Sequence, residues 1–308
     1  MIHQHLTEFH GLPVHEVGDE VTEPRPLAAE VAWRVAGDDF DDEFEETFAE
    51  LLETVDCAAV RALVVGTWGW AHDDRRADVP IGLLIEAAPR FPALEAIFLG
   101  DYVSEESEIS WIGQSDVTPL LTAYPRLKRL DVRGGDGLAF QAVDHAALET
   151  LRFETGGLPA DVVRAVGAST LPALRHLELW LGTENYSGDS GPDDWAPILA
   201  GRGLPALRHL GLQDSERQDD VATAVATAPI VARLESLDLS MGTLSDAGAE
   251  ALLTGQPLTH LKRLNLRHHY LSAEMSKRVL DALADVEVDL SDEQDFSEHN
   301  WRYIEVSE

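Results

Sequence analysis

The heptapeptide LPALRHL occurs twice in this chain of 308 residues, at Leu171–Leu177 and, 33 positions later, at Leu204–Leu210. These two identical segments belong to a more widely repeated pattern, L-x-x-L-x-L, in which other apolar residues can replace the leucines. The pattern recurs at Val60–Val65, Leu94–Leu99, Leu127–Val132, Leu148–Phe153, Leu174–Leu179, Leu207–Leu212, Leu234–Leu239 and Leu261–Leu266, and a shortened copy covers Val286–Leu290. Self-similarity at such intervals predicts a protein built from stacked repeats.

Each copy combines a strand pattern with a following helix pattern. The last two apolar positions of L-x-x-L-x-L are two residues apart, as on one face of a strand. After the strand at Leu234–Leu239, Ser245 can cap a helix that ends at Gly255, a residue that readily adopts the left-handed conformation. One strand and one helix per repeat predict an α/β leucine-rich-repeat solenoid, curved, with parallel strands on its concave face and helices outside. The 27-residue spacing from Leu234 to Leu261 is near that of the ribonuclease-inhibitor type of repeat.

The same patterns predict three parts of the chain. Residues 1–57 form a lead-in and an N-terminal cap, in which Leu27–Ala36 contains a strand and apolar residues from Phe40 to Val55 recur at helical spacing. Residues 58–290 form the solenoid, with nine parallel strands. Residues 291–308 form an acidic loop and a closing strand at Trp301–Val306. Terminal caps with a polar outer face keep a solenoid soluble.

Composition and charge restrict the function. Cys57 is the only cysteine, so an intramolecular disulfide is excluded and no oxidising compartment is implied. No apolar run approaches transmembrane length, and the first residues lack the pattern of a signal peptide, so we expect a cytoplasmic protein and a monomer. The net charge of −33 disfavours nucleic acids and anionic membranes as partners and favours a basic protein. The same acidity would also serve solubility alone.

Several long segments outside the leucine pattern resemble a known family. These segments are His5–Val14, Arg61–Gly69, Glu108–Leu121, Leu179–Asp189, Gln256–Ser272 and Val286–Asp292. With them, nearly the whole chain resembles a family of bacterial leucine-rich-repeat proteins found in streptomycetes. Members of that family are often encoded near predicted radical-SAM and ATP-grasp proteins. The resemblance therefore implies an accessory role in a biosynthetic system.

Three of the intervals between repeats are long, and each gains its extra residues directly after the strand. The insertions are Gly66–Pro80, Gly100–Pro119 and Leu181–Pro197. Insertions at equivalent positions lie on one rim of a solenoid, often the binding side. In or beside them are the candidate partner-binding aromatics, Trp68, Trp70, Tyr102, Trp111, Trp180, Tyr186 and Trp195. Tryptophan and tyrosine are typical of interface hot spots, but such residues can also anchor their own loops.

Two of these insertions are also acidic, which adds charge to the predicted rim. Gly100–Pro119 and Leu181–Pro197 carry Asp and Glu but no Lys or Arg. A rim of aromatics and carboxylates suits peptides that carry Arg or Lys. A cation at Asp189, Asp193 and Asp194 is an alternative, although the two later residues are also explained as carboxylates at a helix start.

A second candidate surface is the face of the strands that points away from the leucine core. Arg129, Arg133 and Arg152 form a basic cluster on it, which is a candidate anion-binding site. The alternative is a ladder of ion pairs across the strands with Asp131 and Glu154.

Catalytic and metal-binding patterns are weak. Gly188–Pro192 resembles the nucleophile loop of trypsin-like proteases, but no matching His or Asp segment accompanies it. His268 with His269, and His3 with His5, lack a third ligand at useful spacing and are expected to be solvated. The sequence contains no glycine-rich phosphate loop, so we predict no catalytic residues, no metal site and no cofactor.

These observations predict a non-enzymatic module that recognises a protein or peptide through the loop rim and the concave face. One alternative is an accessory or substrate-presenting partner of a biosynthetic enzyme. The other is a small-molecule or glycan binder at the concave Arg and Trp surface. A protein partner requires a broad aromatic rim, whereas a small ligand requires one deep pocket with converging polar groups.

Overall fold

The computed structural model describes residues 2–18, 26–37, 44–69, 75–295 and 301–308. Within these ranges the strands form a single sheet of twelve, in the same order as in the sequence. The strands are β1 (Glu8–Phe9), β2 (Leu12–Glu16), β3 (Ala32–Val35), β4 (Ala62–Val65), β5 (Ala96–Leu99), β6 (Arg129–Arg133), β7 (Thr150–Glu154), β8 (His176–Gly182), β9 (His209–Ser215), β10 (Ser236–Asp238), β11 (Arg263–Asn265) and β12 (Glu287–Asp289).

Strands and helices alternate along the chain. The helices are α1 (Phe44–Thr54), α2 (Asp78–Ala87), α3 (Thr118–Ala123), α4 (Ala160–Ala168), α5 (Pro192–Ala200), α6 (Gln218–Val225), α7 (Asp246–Thr254) and α8 (Ala273–Ala282). Strands β1 and β2 form an antiparallel hairpin, and every later strand pairs in parallel with its predecessor. The prediction of nine parallel strands within residues 58–290 is confirmed by β4 to β12.

The core lies between the sheet and the helices. In each of the strands β6 to β11, one leucine lies in register with its neighbours and is almost completely buried: Leu130, Leu151, Leu177, Leu210, Leu237 and Leu264. Helix residues such as Val163 and Val221 complete the same apolar cluster. This arrangement of stacked strand–helix units is that of a leucine-rich-repeat fold.

The predicted helix start at Ser245 is confirmed, but the end of that helix differs from the prediction. Ser245 Oγ accepts a 3.3 Å hydrogen bond from the N–H of Ala247, and Ser272 Oγ accepts a 3.1 Å hydrogen bond from Met275. Gly255, however, has a φ of −79° and is not left-handed. Glycine is needed there for space, because a Cβ atom would collide with the backbone and Cβ of Ala226 in the preceding repeat.

The N-terminal part continues the same sheet. Strand β3 lies within the predicted strand Leu27–Ala36 and pairs with β4, so the sheet crosses the predicted boundary at residue 57. Helix α1 begins at Phe44, and the more N-terminal part of the predicted helix, from Phe40, lies outside the described residues. On the opposite face of the sheet, the β1–β2 hairpin covers Ala32, Val64 and Phe98 with Phe9.

The predicted closing strand at Trp301–Val306 is wrong. Residues 301–308 contain no strand and run across the ends of successive repeats instead. The N–H of Tyr303 donates to Tyr270 Oη at 2.9 Å, and the N–H of Glu305 donates to the Met241 carbonyl at 2.8 Å. These partners belong to different repeats, so the segment crosses the strand direction and cannot extend the sheet.

Among the described residues, no helix is long and apolar enough to cross a membrane.

Candidate functional site

Four of the predicted partner-binding aromatics are buried in the protein. Trp68 and Tyr102 contact each other edge to face at 5.0 Å, and Trp68 is only 2% exposed. Trp195 is 1% exposed and donates from Nε1 to Ser190 Oγ at 2.9 Å. Trp180 is buried on β8. Trp68, Tyr102 and Trp195 anchor their own loops. The burial of all four rings corrects the prediction that they face a partner. Trp70 lies outside the described residues.

Trp111 and Tyr186 remain accessible, and the fold brings them together. Trp111 is 56% exposed and Tyr186 is half-buried. Both line a groove of about 330 Å³, which we call the rim groove. The residues that line it are Ser110, Trp111, Gly135, Asp136, Gly157, Asn185, Tyr186 and Ser187. The groove therefore joins loops that follow β5, β6, β7 and β8.

The electrostatic environment of the rim groove is negative. Tyr186 donates its hydroxyl proton to the carboxylate of Glu308. This hydrogen bond, together with the charges of Glu308 and Glu108, raises the pKa of Tyr186. The carboxylate of Asp136 is half exposed at the other side, where Arg76 Nη2 contacts it at 3.0 Å.

The C-terminal segment 301–308 lies beside this groove. Ser110 Oγ donates a 2.6 Å hydrogen bond to the carbonyl of Ser307. Val306 packs with Ile109, Trp180 and Met241 in a small apolar cluster. The rim is therefore a composite of loops and this segment, which the repeat pattern alone did not predict.

A buried carboxyl group supports the C-terminal segment. Asp214, at the end of β9, accepts a 3.0 Å hydrogen bond through Oδ1 from the N–H of Val306. Its Oδ2 is buried and has no hydrogen-bond partner among the described residues. Burial raises the pKa of Asp214 well above its ordinary value.

The three arginines of the predicted anion site are engaged by the protein's own carboxylates. Arg129 contacts Asp131 at 2.7 Å, and Arg133 Nε donates to Glu154 Oε2 at 2.7 Å. Arg152 lies between strands, 3.1 Å from Glu154 and 2.7 Å from Glu178. The alternative of an ion-pair ladder therefore describes this surface, because each guanidinium already has an anionic partner.

The ladder continues into a group of two histidines and one glutamate. His176 Nε2 lies 2.8 Å from Glu178 Oε1, and His209 Nε2 lies 3.2 Å from the same oxygen. The two imidazole rings stack at 4.0 Å with 9° between their planes. Burial alone would raise the pKa of Glu178, but the two imidazoles and the charge of Arg152 outweigh it and lower the pKa far below its usual range.

The duplicated heptapeptide contains a sequence signal for this group. His176 and His209 occupy the same position of the duplicated heptapeptide LPALRHL. Parallel pairing in register therefore places them side by side, with Glu178 two residues further along the same face. His176, Glu178 and His209 offer three ligand atoms within 4.8 Å of one another.

Other candidate polar residues have structural partners. His268 and His269 are buried, which corrects the expectation that they are solvated, and His269 Nε2 contacts the Leu290 carbonyl at 3.0 Å. His268, Asp292 and Glu305 form a second group, but Arg267 contacts both of its carboxylates.

Two of the three carboxylates of the candidate cation site, those of Asp189 and Asp194, have separate partners within the protein. Asp189 Oδ1 accepts from the N–H of Ala160 at 2.8 Å, at the start of α4. Asp194 accepts from the N–H of Gly191 at 2.8 Å and contacts Arg164 at 2.5 Å. The Asp194 carboxylate therefore stabilises the start of α5, as the alternative interpretation predicted.

Comparison with known proteins identifies a relative. No protein-family model and no curated protein match the chain. The crystal structure of a protein from Bacteroides fragilis is 31% identical, with a TM-score of 0.80, over 90% of this chain and 78% of that chain. TLR13 in its complex with ssRNA13 is 14% identical over 87% of this chain and 33% of that chain, with a TM-score of 0.42. Human 5T4, the trophoblast glycoprotein, is 18% identical over 91% and 76%, with a TM-score of 0.36.

The Bacteroides fragilis protein combines 31% identity with 90% coverage of this chain, and the TM-score of 0.80 shows that the two proteins share a fold. The chain therefore belongs to the same family as this Bacteroides fragilis protein.

Proposed function

We propose that this protein is a non-enzymatic recognition module that binds a basic peptide or a basic segment of a partner protein at the rim groove. The observation that carries the proposal is the exposure of Trp111, 56% of whose surface is accessible at a groove that Tyr186 also lines. A large aromatic side chain that could be buried in its own loop, as Trp68 and Trp195 are, but is exposed instead is a candidate hot spot.

The charge around the groove favours a basic partner. Glu108 and Glu308 lie close enough to influence Tyr186, and Asp136 adds a half-exposed carboxylate that also contacts Arg76. An Arg or Lys side chain would gain charge-assisted hydrogen bonds from these carboxylates and a cation–π contact with Trp111. The net charge of −33 would add long-range attraction.

The size of the groove favours a peptide segment. Its volume of about 330 Å³ is enough for one or two side chains and is continuous with an open rim. The residues that line it come from four successive repeats, so an extended segment could contact them in sequence.

A displayed library of random peptides, selected on the full chain, tests the proposal. We expect the selected peptides to be enriched in Arg and Lys, and their binding to weaken with increasing salt. Trp111→Ala should weaken binding about thirtyfold, the effect of losing one hot spot of about 2 kcal/mol.

Trp301→Ala is the matched control, since Trp301 is 65% exposed but does not line the rim groove. Selection of peptides without basic residues would contradict the charge argument. Equal binding by the wild type and Trp111→Ala would contradict the groove itself.

A further inference from the structure

We propose that His176, Glu178 and His209 bind a divalent transition-metal ion of the zinc class on the open face of the sheet. The three ligand atoms, two imidazole nitrogens and one carboxylate oxygen, lie within 4.8 Å of one another. Two histidines and one carboxylate, with an open position for solvent, form a ligand set that zinc uses in proteins.

The spacing of the ligand atoms fits a tetrahedral ion. An ion about 2.1 Å from each ligand atom separates neighbouring ligand atoms by about 3.4 Å. His209 Nε2 is 3.2 Å from Glu178 Oε1, and His176 Nε2 is 2.8 Å from it. Binding therefore requires His176 Nε2 to move about 0.6 Å away from Glu178. It also requires the His176 ring, which is parallel to that of His209, to turn until both Nε2 lone pairs point to the ion, and the partly exposed side chain of His176 has room for this turn.

The surrounding residues orient the ligands. His209 Nδ1 is 2.7 Å from Ser236 Oγ on the next strand, so the serine can fix the ring with Nε2 directed toward Glu178. That Nε2 atom is buried and makes no well-aligned hydrogen bond with any described residue. When Nδ1–H donates to Ser236 Oγ, the Nε2 lone pair faces Glu178 Oε1 and can bind a cation that lies between the two atoms. Outer-shell partners of this kind commonly fix the ring orientation of metal-binding histidines.

Arg152 controls the other side of the carboxylate. Its Nε contacts Glu178 Oε2 at 2.7 Å, which leaves Oε1 to face the imidazoles as a single ligand atom. Gly211 lies beside Glu178 in the sheet, and a Cβ atom there would come within 3.0 Å of Glu178 Cγ. The glycine therefore leaves room on the face where the ion would lie.

The donor set also determines the class of ion. Calcium and magnesium prefer sites made of oxygen atoms, whereas imidazole suits zinc, copper, nickel and iron. Zinc is the simplest probe because it has no redox chemistry.

Titration of the full chain with Zn²⁺ alone, followed by calorimetry, tests the proposal. We expect one equivalent to bind near neutral pH, and the affinity to fall as pH decreases because protons compete for the imidazoles. His176→Gln and His209→Ala should each raise the dissociation constant at least tenfold, which is the effect of losing even an outer-shell partner. His176→Gln keeps the test valid if His209→Ala does not fold, because the His176 side chain is 37% exposed.

His260→Gln is the control, since His260 contacts only a backbone carbonyl, that of Val231, among its described partners. It should bind zinc like the wild type. Circular dichroism without metal should show the same fold for all variants. No binding by the wild type would overturn the proposal. Unchanged binding by His176→Gln, with loss in His268→Ala, would assign the ion to the second group and would also overturn it.

Discussion

The hydroxyl oxygen of Tyr102 accepts a 2.8 Å hydrogen bond from the backbone N–H of Trp68, and the two rings meet edge to face at 5.0 Å. The residues come from two different long insertions, so this pair joins neighbouring loops of the rim. Burial raises the pKa of Tyr102 beyond its usual range, which keeps the phenol protonated. The pair explains why aromatic residues in long loops are not all available to a partner.

Replacing Trp68 by Ala should therefore destabilise the fold strongly. We expect a loss of about 3–5 kcal/mol, as for other large-to-small changes in a core. Tyr102→Phe keeps the ring and removes only the hydroxyl, so it should cost about 1–3 kcal/mol for the buried N–H left without a partner. Chemical denaturation measures both. If Trp68→Ala cost less than Tyr102→Phe, the ring would not be the loop anchor.

Leu210 lies in the apolar row that crosses the sheet and is completely buried. Leu210→Ala should reduce the free energy of unfolding by about 2–5 kcal/mol. Lys277→Ala, at a residue whose side chain is 74% exposed, should change it by no more than about 0.5 kcal/mol. Similar urea midpoints for the two variants would mean that the row is not the core.

The N-terminal segment should loosen at alkaline pH. Hydrogen bonds from His5 to Asp101 and Glu106 raise its pKa from 6.5 to about 9. Its stabilising effect is therefore complete below pH 6.5 and lost as pH rises through 9. Solvent around the partly exposed imidazole limits the effect to about 1 kcal/mol.

Thermal midpoints between pH 6 and pH 10 measure this effect. The wild type should lose more stability over that range than His5→Gln, in which the titrating group is absent. Parallel curves for the two proteins would show that His5 does not stay charged in the folded state.

The carboxyl group of Asp214 should oppose folding at neutral pH. Burial raises the pKa of Asp214 in the folded protein above its ordinary value of 3.8. Protonation of Asp214 therefore stabilises the folded protein, and this stabilisation is complete below pH 3.8 and is lost as the pH rises through the folded-state pKa. Asp214→Asn keeps the acceptor for Val306 and the left-handed backbone, where φ is 54°, and carries no charge. It should gain on the order of 1 kcal/mol at pH 8.

Thermal unfolding at pH 4 and pH 8 tests the Asp214 prediction. The difference between Asp214→Asn and the wild type should be larger at pH 8. An equal difference at both values would indicate that Asp214 is ionised throughout, and a destabilised variant at pH 8 would indicate that its charge is required.

The spacing of apolar residues determined most of the repeat architecture. Leu177 and Leu210 occupy equivalent positions of the duplicated heptapeptide, and they are neighbours in the sheet. Ser245 caps the helix that the sequence predicted after it, and Ser272 caps the next helix in the same way. These predictions succeed because strand alternation and helix capping depend on residues close together in the chain.

Only the tertiary structure decided which loop residues are accessible. Trp68 and Trp111 lie in equivalent insertions, yet one is buried and the other is exposed. Their exposure differs because Tyr102 covers Trp68, whereas Trp111 lies at the open rim groove. The path of residues 301–308 depends similarly on partners far away in the chain, such as Ser110, which is 197 residues from Ser307.

Both the sequence and the tertiary structure determine the group formed by His176, Glu178 and His209. The duplicated heptapeptide contained the two histidines, and parallel register brings His176 beside His209. The distances to Glu178 and the contacts of Ser236 and Arg152, however, depend on side-chain rotamers in four successive strands, β7 to β10. Local periodicity determines which face a residue occupies, whereas packing between repeats determines what that residue contacts.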